Sequence, residues 1–191
     1  AVLSLKAEYY NRGLYSVVIT PLVVPLERNR VSISVAIDEG EVAKITSIQF
    51  VGNKVFSQNT LVAQMGLSTG NLLSWWYKDN QYSSDKLSGD IETIRSYYLN
   101  RGYINFKVNS IQVQLTPNKK SVYITLNLNE GSQYTIKSAK LAGEIKNVPF
   151  SELEGLILIK SGKIVDQALI NKTVESLKTK LGDYGYAFAS V

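Results

Sequence analysis

The chain has 191 residues, of which 45% are hydrophobic, and a formal net charge of +5. It contains no cysteine and no histidine, which excludes thiol chemistry, disulfides, and the most common general base and metal ligand of proteins. We therefore expect a folded protein with no catalytic centre, no metal site and no cofactor. The charges are interspersed along the chain, a pattern typical of a solvated surface rather than of a nucleic-acid-binding tract.

The first 40 residues have the pattern of a helix followed by two strands. We predict a helix at 2–11, a strand at 14–24, a turn at 25–30 and a second strand at 31–37. Apolar residues alternate along the second strand, so we expect one of its faces to be buried. Because no opening strand or first helix precedes these elements, we interpret them as the C-terminal half of a domain.

The next 90 residues contain a full order of strand, helix, helix, strand and strand. Its predicted segments are a strand at 42–51, a short helix at 57–66, a loop at 67–81, a long helix at 83–100, a strand at 103–115, a turn at 116–119 and a strand at 121–129. Ser57 and Ser83 can cap the two helices. Four apolar residues on one face of the long helix are expected to be buried: Leu87, Ile91, Ile94 and Tyr98. Lys86 and Asp90 are spaced to pair on the helix surface.

The remaining residues repeat the beginning of this order. We predict a strand at 134–141, helices that Ser151 and Asp166 cap, a helix stop at Gly182, and a strand from Tyr186. The closing strand is missing from this last copy. We therefore expect both chain ends to cut through domains, and to be frayed or completed by another chain.

Two sequence markers recur in the same order. The first joins the aromatic or apolar end of a helix to a glycine and then to a strand, and it occurs at 9–13, 97–102 and 181–185. The second is a Glu-Gly pair that ends a strand, at Glu39-Gly40 and Glu130-Gly131. The spacing of about 90 residues is the size of one small domain, so we predict a tandem of domains.

The order of elements and the two markers resemble the polypeptide-transport-associated (POTRA) domain. Segments 89–103 and 113–120, with Trp75-Trp76, look like the third such domain of outer-membrane β-barrel assembly proteins, and the resemblance covers nearly the whole chain. It implies an α+β fold of tandem β-α-α-β-β domains, each a three-stranded mixed sheet covered by two antiparallel helices. We accordingly expect the C-terminal half of a second domain at 1–40, a complete third domain at 41–131, and at 132–191 a fourth domain without its last strand.

The resemblance implies a chaperone-like scaffold rather than an enzyme, at the periplasmic face of a bacterial outer membrane. The partners that it implies are unfolded outer-membrane β-barrel proteins, accessory assembly lipoproteins and the membrane barrel of the same protein, but no nucleic acid. The physical basis is a sheet edge, where backbone N–H and C=O groups have no partner. An extended client can add to such an edge mainly through its main chain.

In the POTRA family the first strand of the closing hairpin lies at a sheet edge, and here that strand is 104–115, which contains no proline. We expect client strands to add along it, at Ile104, Phe106, Lys107, Val108, Ile111, Gln112 and Val113. We expect a lipoprotein to dock where a helix end meets a strand end, at Met65, Leu67, Val113 and Leu115. An alternative that stays open is that Met65 and Val113 belong to the core.

Other interpretations depend on weaker signals. Ser83-x-x-Lys86 has the spacing of penicillin-binding enzymes, but their other motifs are absent. The aromatic cluster at 75–77 could stack bases, although such a cluster more commonly packs a long loop onto its domain. Two alternative functions stay open: a basic α+β nucleic-acid-binding tandem, whose affinity would fall steeply with salt, and the POTRA region of a related secretion or division protein.

Overall fold

The computed structural model describes residues 2–70, 80–143, 148–186 and 188–191, and the aromatic cluster at 75–77 lies outside them. The helices and strands of these residues are, in chain order, α1 Val2–Asn11, β1 Val18–Leu26, β2 Arg30–Asp38, β3 Lys44–Val51, α2 Gln58–Val62, α3 Ser84–Leu99, β4 Lys107–Leu115, β5 Ser121–Asn129, α4 Phe150–Glu154 and α5 Gln167–Asp183. The predicted α+β class is confirmed.

β1 and β2 form a two-stranded antiparallel ribbon in which Leu26 lies opposite Arg30. The turn is therefore 27–29, shorter than predicted, and Arg28 and Asn29 adopt positive φ angles there. Every residue of β2 is exposed, so the prediction of a buried face on this strand is wrong. The apolar alternation is present, but burial requires a second layer, and the described residues leave the faces of β2 open.

β3, β5 and β4 form a mixed three-stranded sheet in that order, with β5 in the centre. β3 and β5 run parallel, and their register shifts once between Ile45 and Ser47. The turn from β4 to β5 is closed by a hydrogen bond from the Lys119 N–H to the Thr116 carbonyl at 2.8 Å. This confirms the predicted turn with Pro117 in its second position.

The main core lies where α2 and α3 pack on this sheet. Its buried apolar side chains are Ile45, Ile48, Phe50, Leu61, Leu87, Ile91, Ile94, Val122, Ile124, Leu126 and Leu128. Each such side chain contributes about 1.5–3 kcal/mol when fully buried. The predicted apolar face of α3 and the alternation of β5 are thus confirmed. So is the cap at Ser83, whose hydroxyl accepts a hydrogen bond from the Lys86 N–H at 3.4 Å.

β4 begins at Lys107 rather than at residue 103. The preceding residues form a turn in which the Phe106 N–H donates to the Tyr103 carbonyl at 3.0 Å. The Phe106 ring is buried and stacks on Tyr98, with ring centroids 4.1 Å apart. Ile104 and Phe106 therefore precede the strand edge, and the buried ring of Phe106 packs on Tyr98 instead.

Asp90 lies in the core rather than on the surface of α3, with 7% of its surface exposed. Its carboxylate oxygens accept hydrogen bonds from the backbone N–H groups of Gly66 at 2.7 Å and Leu67 at 2.9 Å. The predicted surface pair with Lys86 is therefore wrong, because both oxygens bind the segment that follows α2. This contact ties that segment to α3 and provides acceptors for the part-buried N–H of Gly66 and the buried N–H of Leu67.

Residues 132–191 contain α4, α5 and a small core formed by Val148, Leu153, Leu177 and Leu181. Asp166 caps α5 by accepting from the N–H groups of Ala168 and Leu169, as predicted. The cap position of α4 is Pro149, which makes no side-chain bond there. Ser151 lies within α4 instead, so the prediction that it caps this helix is wrong.

The described part of 132–191 contains no strand other than an isolated bridge between Thr135 and Ile164. The predicted strands at 134–141 and from Tyr186 are therefore not seen. A strand exists only in a ladder with a partner. Residues 134–136 pair with 162–165 only around this bridge, through bonds such as that from the Ile136 N–H to the Lys163 carbonyl at 2.8 Å, and the described residues from Tyr186 have no strand neighbour. Apolar alternation alone could not reveal this.

Three helices end in the same Schellman motif, which satisfies carbonyls at the end of a helix through a left-handed glycine. Gly13, Gly102 and Gly185 have φ angles of 79°, 87° and 88°. In each case the N–H of the residue after the glycine donates a hydrogen bond to a carbonyl of the helix: Leu14 to Tyr9, Tyr103 to Tyr98, and Tyr186 to Leu181, at 3.0–3.1 Å. The helix-to-glycine part of the first sequence marker is confirmed in all three places, although no strand follows the third among the described residues. The third stop is Gly185, since Gly182 lies inside α5.

The two sequence markers contact each other through a tyrosine and a glutamate. The Tyr98 hydroxyl donates to Glu130 Oε1 at 2.7 Å, and burial, followed by this hydrogen bond, raises the pKa of Tyr98 above its ordinary value. In the first copy desolvation and a hydrogen bond with Glu39 likewise raise the pKa of Tyr9. The helix-end marker and the strand-end marker are therefore two halves of one repeated joint.

Each joint also contains a backbone hydrogen bond. The Gly13 carbonyl accepts from the Ala43 N–H, and the Gly102 carbonyl accepts from the Tyr134 N–H, both at 2.9 Å. Contacts divide the chain into two compact units, 1–94 with 108–128 and 95–107 with 129–191. Each unit contains one joint. The domain boundaries expected after residues 40 and 131 stay predictions.

Candidate functional site: a strand edge

The candidate site is the outer edge of β4, the strand that has β5 as its neighbour in the sheet. The Thr116 N–H donates to the Ser121 carbonyl at 3.0 Å, so it points towards β5. Because backbone groups alternate along a strand, the N–H and C=O groups of Ile111, Val113 and Leu115 point away from β5. Among the described residues, none forms a hydrogen bond with this outer edge.

An exposed apolar row lies beside these groups. Ile111, Val113 and Leu115 are 47%, 37% and 37% exposed. The hydrogen bond at the turn places Leu115 opposite Val122, and continued pairing puts the row on the face of β5 that carries the core. An incoming strand would therefore find unpaired backbone and apolar side chains together.

The opposite edge of this sheet, along β3, is occupied. At its start the Ile45 N–H donates to the Asn80 carbonyl at 2.8 Å, and the Tyr82 N–H donates to the Ala43 carbonyl at 3.0 Å. Further along, the side chain of Gln58 bonds to the backbone. Within the part of the chain that the structure describes, the three-stranded sheet thus has one closed edge and one open edge.

The outer edge of β1, in the two-stranded ribbon, differs from that of β4 in its proline content. β1 carries Pro21 and Pro25, and a paired strand accommodates proline where its position faces away from the neighbouring strand. The outer edge of β1 therefore lacks two donors, whereas β4 contains no proline. The outer edge of β2 has no strand neighbour among the described residues either, so it is a second open edge in the same unit.

The predicted site residues divide into three groups. Lys107, Val108, Ile111, Gln112 and Val113 lie on β4, whereas Ile104 and Phe106 precede it. Of the predicted docking residues, Val113 and Leu115 are partly exposed, but Leu67 is 0% exposed. Met65 is half-buried and follows α2, which packs beside β3. The structure therefore gives no common surface of all four docking residues.

Sequence reasoning missed the closure of β3 by Gln58 and the anchoring role of Asp90. Neither has a local signal, because each side chain acts on a backbone segment distant in sequence. The described residues contain no group of three or more acidic, histidine or cysteine side chains arranged to hold a metal. None of the helices in the described segments is long and apolar enough to cross a membrane.

The fold and its repeated joints define a protein built of small α+β modules, whose three-stranded sheet has one open strand edge among the described residues. The family model named POTRA, surface antigen variable number repeat, matches residues 43–131 and 134–191. The chain belongs to this family.

The chain is also similar to proteins named as outer membrane protein assembly factors. The chain is 35% identical to an outer membrane protein assembly factor BamA of Neisseria meningitidis, over all of this chain and 24% of that protein. It is 30% identical to the BamA of Buchnera aphidicola, over 98% of this chain and 30% of that protein. The chain thus spans about a quarter of the length of these relatives. It shares its fold with the crystal structure of Haemophilus influenzae BamA POTRA3-5, with a TM-score of 0.55 and 19% identity over 97% of this chain and 68% of that one.

Proposed function

We propose that this chain is a non-enzymatic, periplasmic part of an outer-membrane β-barrel assembly apparatus. In this proposal the outer edge of β4 receives extended segments of unfolded outer-membrane proteins by strand addition. The observation that carries it is the contrast between the two edges of the three-stranded sheet, of which only the β4 edge is open among the described residues. The assembly role of relatives such as the Neisseria meningitidis protein supports the choice of client.

Strand addition at this edge explains how one site could serve many clients. Main-chain hydrogen bonds provide affinity without reading a sequence, and the apolar row selects alternating apolar residues. Such alternation is the pattern of membrane barrel strands, which present apolar side chains on one face and polar ones on the other.

Docking of an accessory lipoprotein remains a second part of the proposal, with Val113 and Leu115 as contacts on β4 and Met65, which follows the helix beside β3, as a separate candidate. Leu67 is left out because it is buried. A lipoprotein and a client strand would compete for Val113. We also propose that 1–40, 41–131 and 132–191 correspond to successive domains, and that the protein's own barrel lies outside these residues.

Hydrogen exchange with a synthetic barrel-strand peptide tests strand addition. We expect the peptide to protect the outward amides of Ile111 and Val113, while those of Gln112 and Gln114, which face β5, change little. Val113→Pro removes an outward donor and should abolish binding while keeping the fold; Val113→Thr keeps that donor and is the matched control. Equal protection of all four amides, or unchanged binding by the proline variant, would contradict the proposal.

A further inference from the structure

Gln58 occupies the edge of β3 with a single side-chain amide. Its Oε1 accepts from the Phe50 N–H at 2.9 Å, and its Nε2 donates to the Ile48 carbonyl. These two backbone groups lie in the plane of the sheet and point away from β5, because backbone groups two residues apart on a strand face the same side. A primary amide offers a donor and an acceptor side by side, so Gln58 takes the place of a neighbouring strand's peptide group.

Local structure fixes Gln58 in this position. It is the first residue of α2, directly after the cap residue Ser57, whose hydroxyl accepts from the Thr60 N–H at 3.2 Å. Leu61 anchors the helix because its side chain is fully buried. In the loop before the helix, Asn53 Nδ2 donates to the Phe56 carbonyl at 3.0 Å. The amide is therefore held against β3 rather than free in solvent.

The rest of the edge is closed by backbone. Residue 81 bridges to Lys44, and Asn80 and Tyr82 provide hydrogen bonds on either side of that bridge. The bonds from this segment reach only the start of β3, between Ala43 and Ile45. At Ile48 and Phe50, the closing group is Gln58.

We propose that Gln58 is a specificity-determining residue that prevents strand addition at β3 and so directs an incoming strand to β4. This inference rests on the strand-addition function proposed above. An exposed edge invites pairing with any extended chain, including a second copy of the same protein. Closing one edge with a side chain leaves the three-stranded sheet a single edge for strand addition among the described residues.

The test compares Gln58→Ala with the control Gln64→Ala. Gln64 lies just after the same helix, and its side chain donates to the Thr60 carbonyl rather than to β3. In the free protein, Gln58→Ala is expected to raise the exchange rate of the Phe50 amide about tenfold, the order expected for loss of one hydrogen bond. The control should leave this rate unchanged. Gln58→Glu is the second variant, since it keeps an acceptor for Phe50 but cannot donate to Ile48.

A spin-labelled barrel-strand peptide then locates the added strand. Of the two edges of the three-stranded sheet, the unmodified chain should show broadening at Val113 and none at Phe50. In Gln58→Ala and Gln58→Glu the signals of Phe50 should broaden as well, and the number of bound peptides should rise by one. Broadening confined to Val113 in both variants would overturn the inference. A peptide that binds neither edge of the unmodified chain contradicts strand addition at β4. In that case, binding at Phe50 in the variants supports the inference about Gln58, and no binding there overturns it.

Discussion

The Tyr98 hydroxyl donates a hydrogen bond of 2.7 Å to Glu130 Oε1, joining the end of α3 to the residue that follows β5. Glu130 is 7% exposed. A carboxylate so far from solvent depends on donors from the protein, and the tyrosine is one of them. The same pair of residue types, Tyr9 and Glu39, stands at the first joint. The repeated sequence markers therefore encode a repeated contact.

Removing the Tyr98 hydroxyl should destabilise the protein. Tyr98→Phe keeps the ring stacked on Phe106 but takes one donor from a buried carboxylate, so we expect a loss of about 1–3 kcal/mol in the free energy of unfolding. Glu130→Gln keeps an acceptor for the hydroxyl and should cost less. Urea denaturation measures both, and an equal or larger loss for the glutamine variant would contradict this account of the joint.

Stability should fall as the solution becomes strongly alkaline. Burial, followed by the neighbouring Tyr82, raises the pKa of Tyr15 to about 12, whereas an unfolded tyrosine ionises near pH ~10. Because the folded state holds the proton more tightly, the unfolded state loses it first. The stabilisation is complete below the unfolded pKa and is lost as the pH rises towards the folded pKa.

The urea midpoint measured at intervals from pH 9 to pH 12 checks this dependence. Tyr15→Phe should make the decline of the urea midpoint above pH ~10 less steep, because a side chain that cannot ionise adds no pH dependence to the stability. Tyr123→Phe replaces a partly exposed tyrosine of β5 and is the control. An identical slope in the Tyr15 variant and the unmodified chain would show that this side chain is not the source.

Removing the Asp90 carboxylate should also lower the stability of the protein, because two backbone N–H groups lose their hydrogen-bond acceptor. Asp90→Ala leaves the buried N–H of Leu67 and the part-buried N–H of Gly66 without their acceptor, and we expect a loss of about 1–3 kcal/mol in the free energy of unfolding. Lys86→Ala tests the surface pair that the sequence suggested, and it should stay within about 0.5 kcal/mol. A comparable loss from both variants in urea denaturation would favour the surface pair instead.

The sequence predicts well what depends on local or periodic patterns. The apolar face of α3, the alternation of β5 and the stop at Gly102 all follow from spacing and backbone freedom, and the structure confirms each. The resemblance added the family and the mixed sheet. A wrong prediction such as the buried face of β2 has a different origin, since alternation shows that a face is apolar but not that another layer covers it.

The candidate site was only partly predictable for a related reason. That β4 is an edge strand follows from the fold, but the start of the edge depends on Phe106 packing against Tyr98. The closure of the opposite edge depends on Gln58 meeting residues 48 and 50 across a turn. Both contacts are tertiary, and no periodicity in the sequence reports them.

The last prediction separates two reasons for a glycine at a helix end. Gly102 and Gly185 occupy the same position of the Schellman motif, with φ angles of 87° and 88°. A Cβ on Gly102 would lie 2.7 Å from Ile164 Cγ2 and 2.9 Å from the Tyr134 carbonyl oxygen, whereas one on Gly185 would meet nothing within 4 Å.

Gly185→Ala should therefore cost only the strain of a left-handed residue, about 1–2 kcal/mol. Gly102→Ala carries the same strain, and in addition either the Tyr134 segment or the alanine must move, which weakens the Gly102–Tyr134 hydrogen bond. We expect a clearly larger loss of unfolding free energy and faster exchange of the Tyr134 amide. Equal losses for the two variants, with the Tyr134 amide unchanged, would mean that conformation alone selects glycine at the joint.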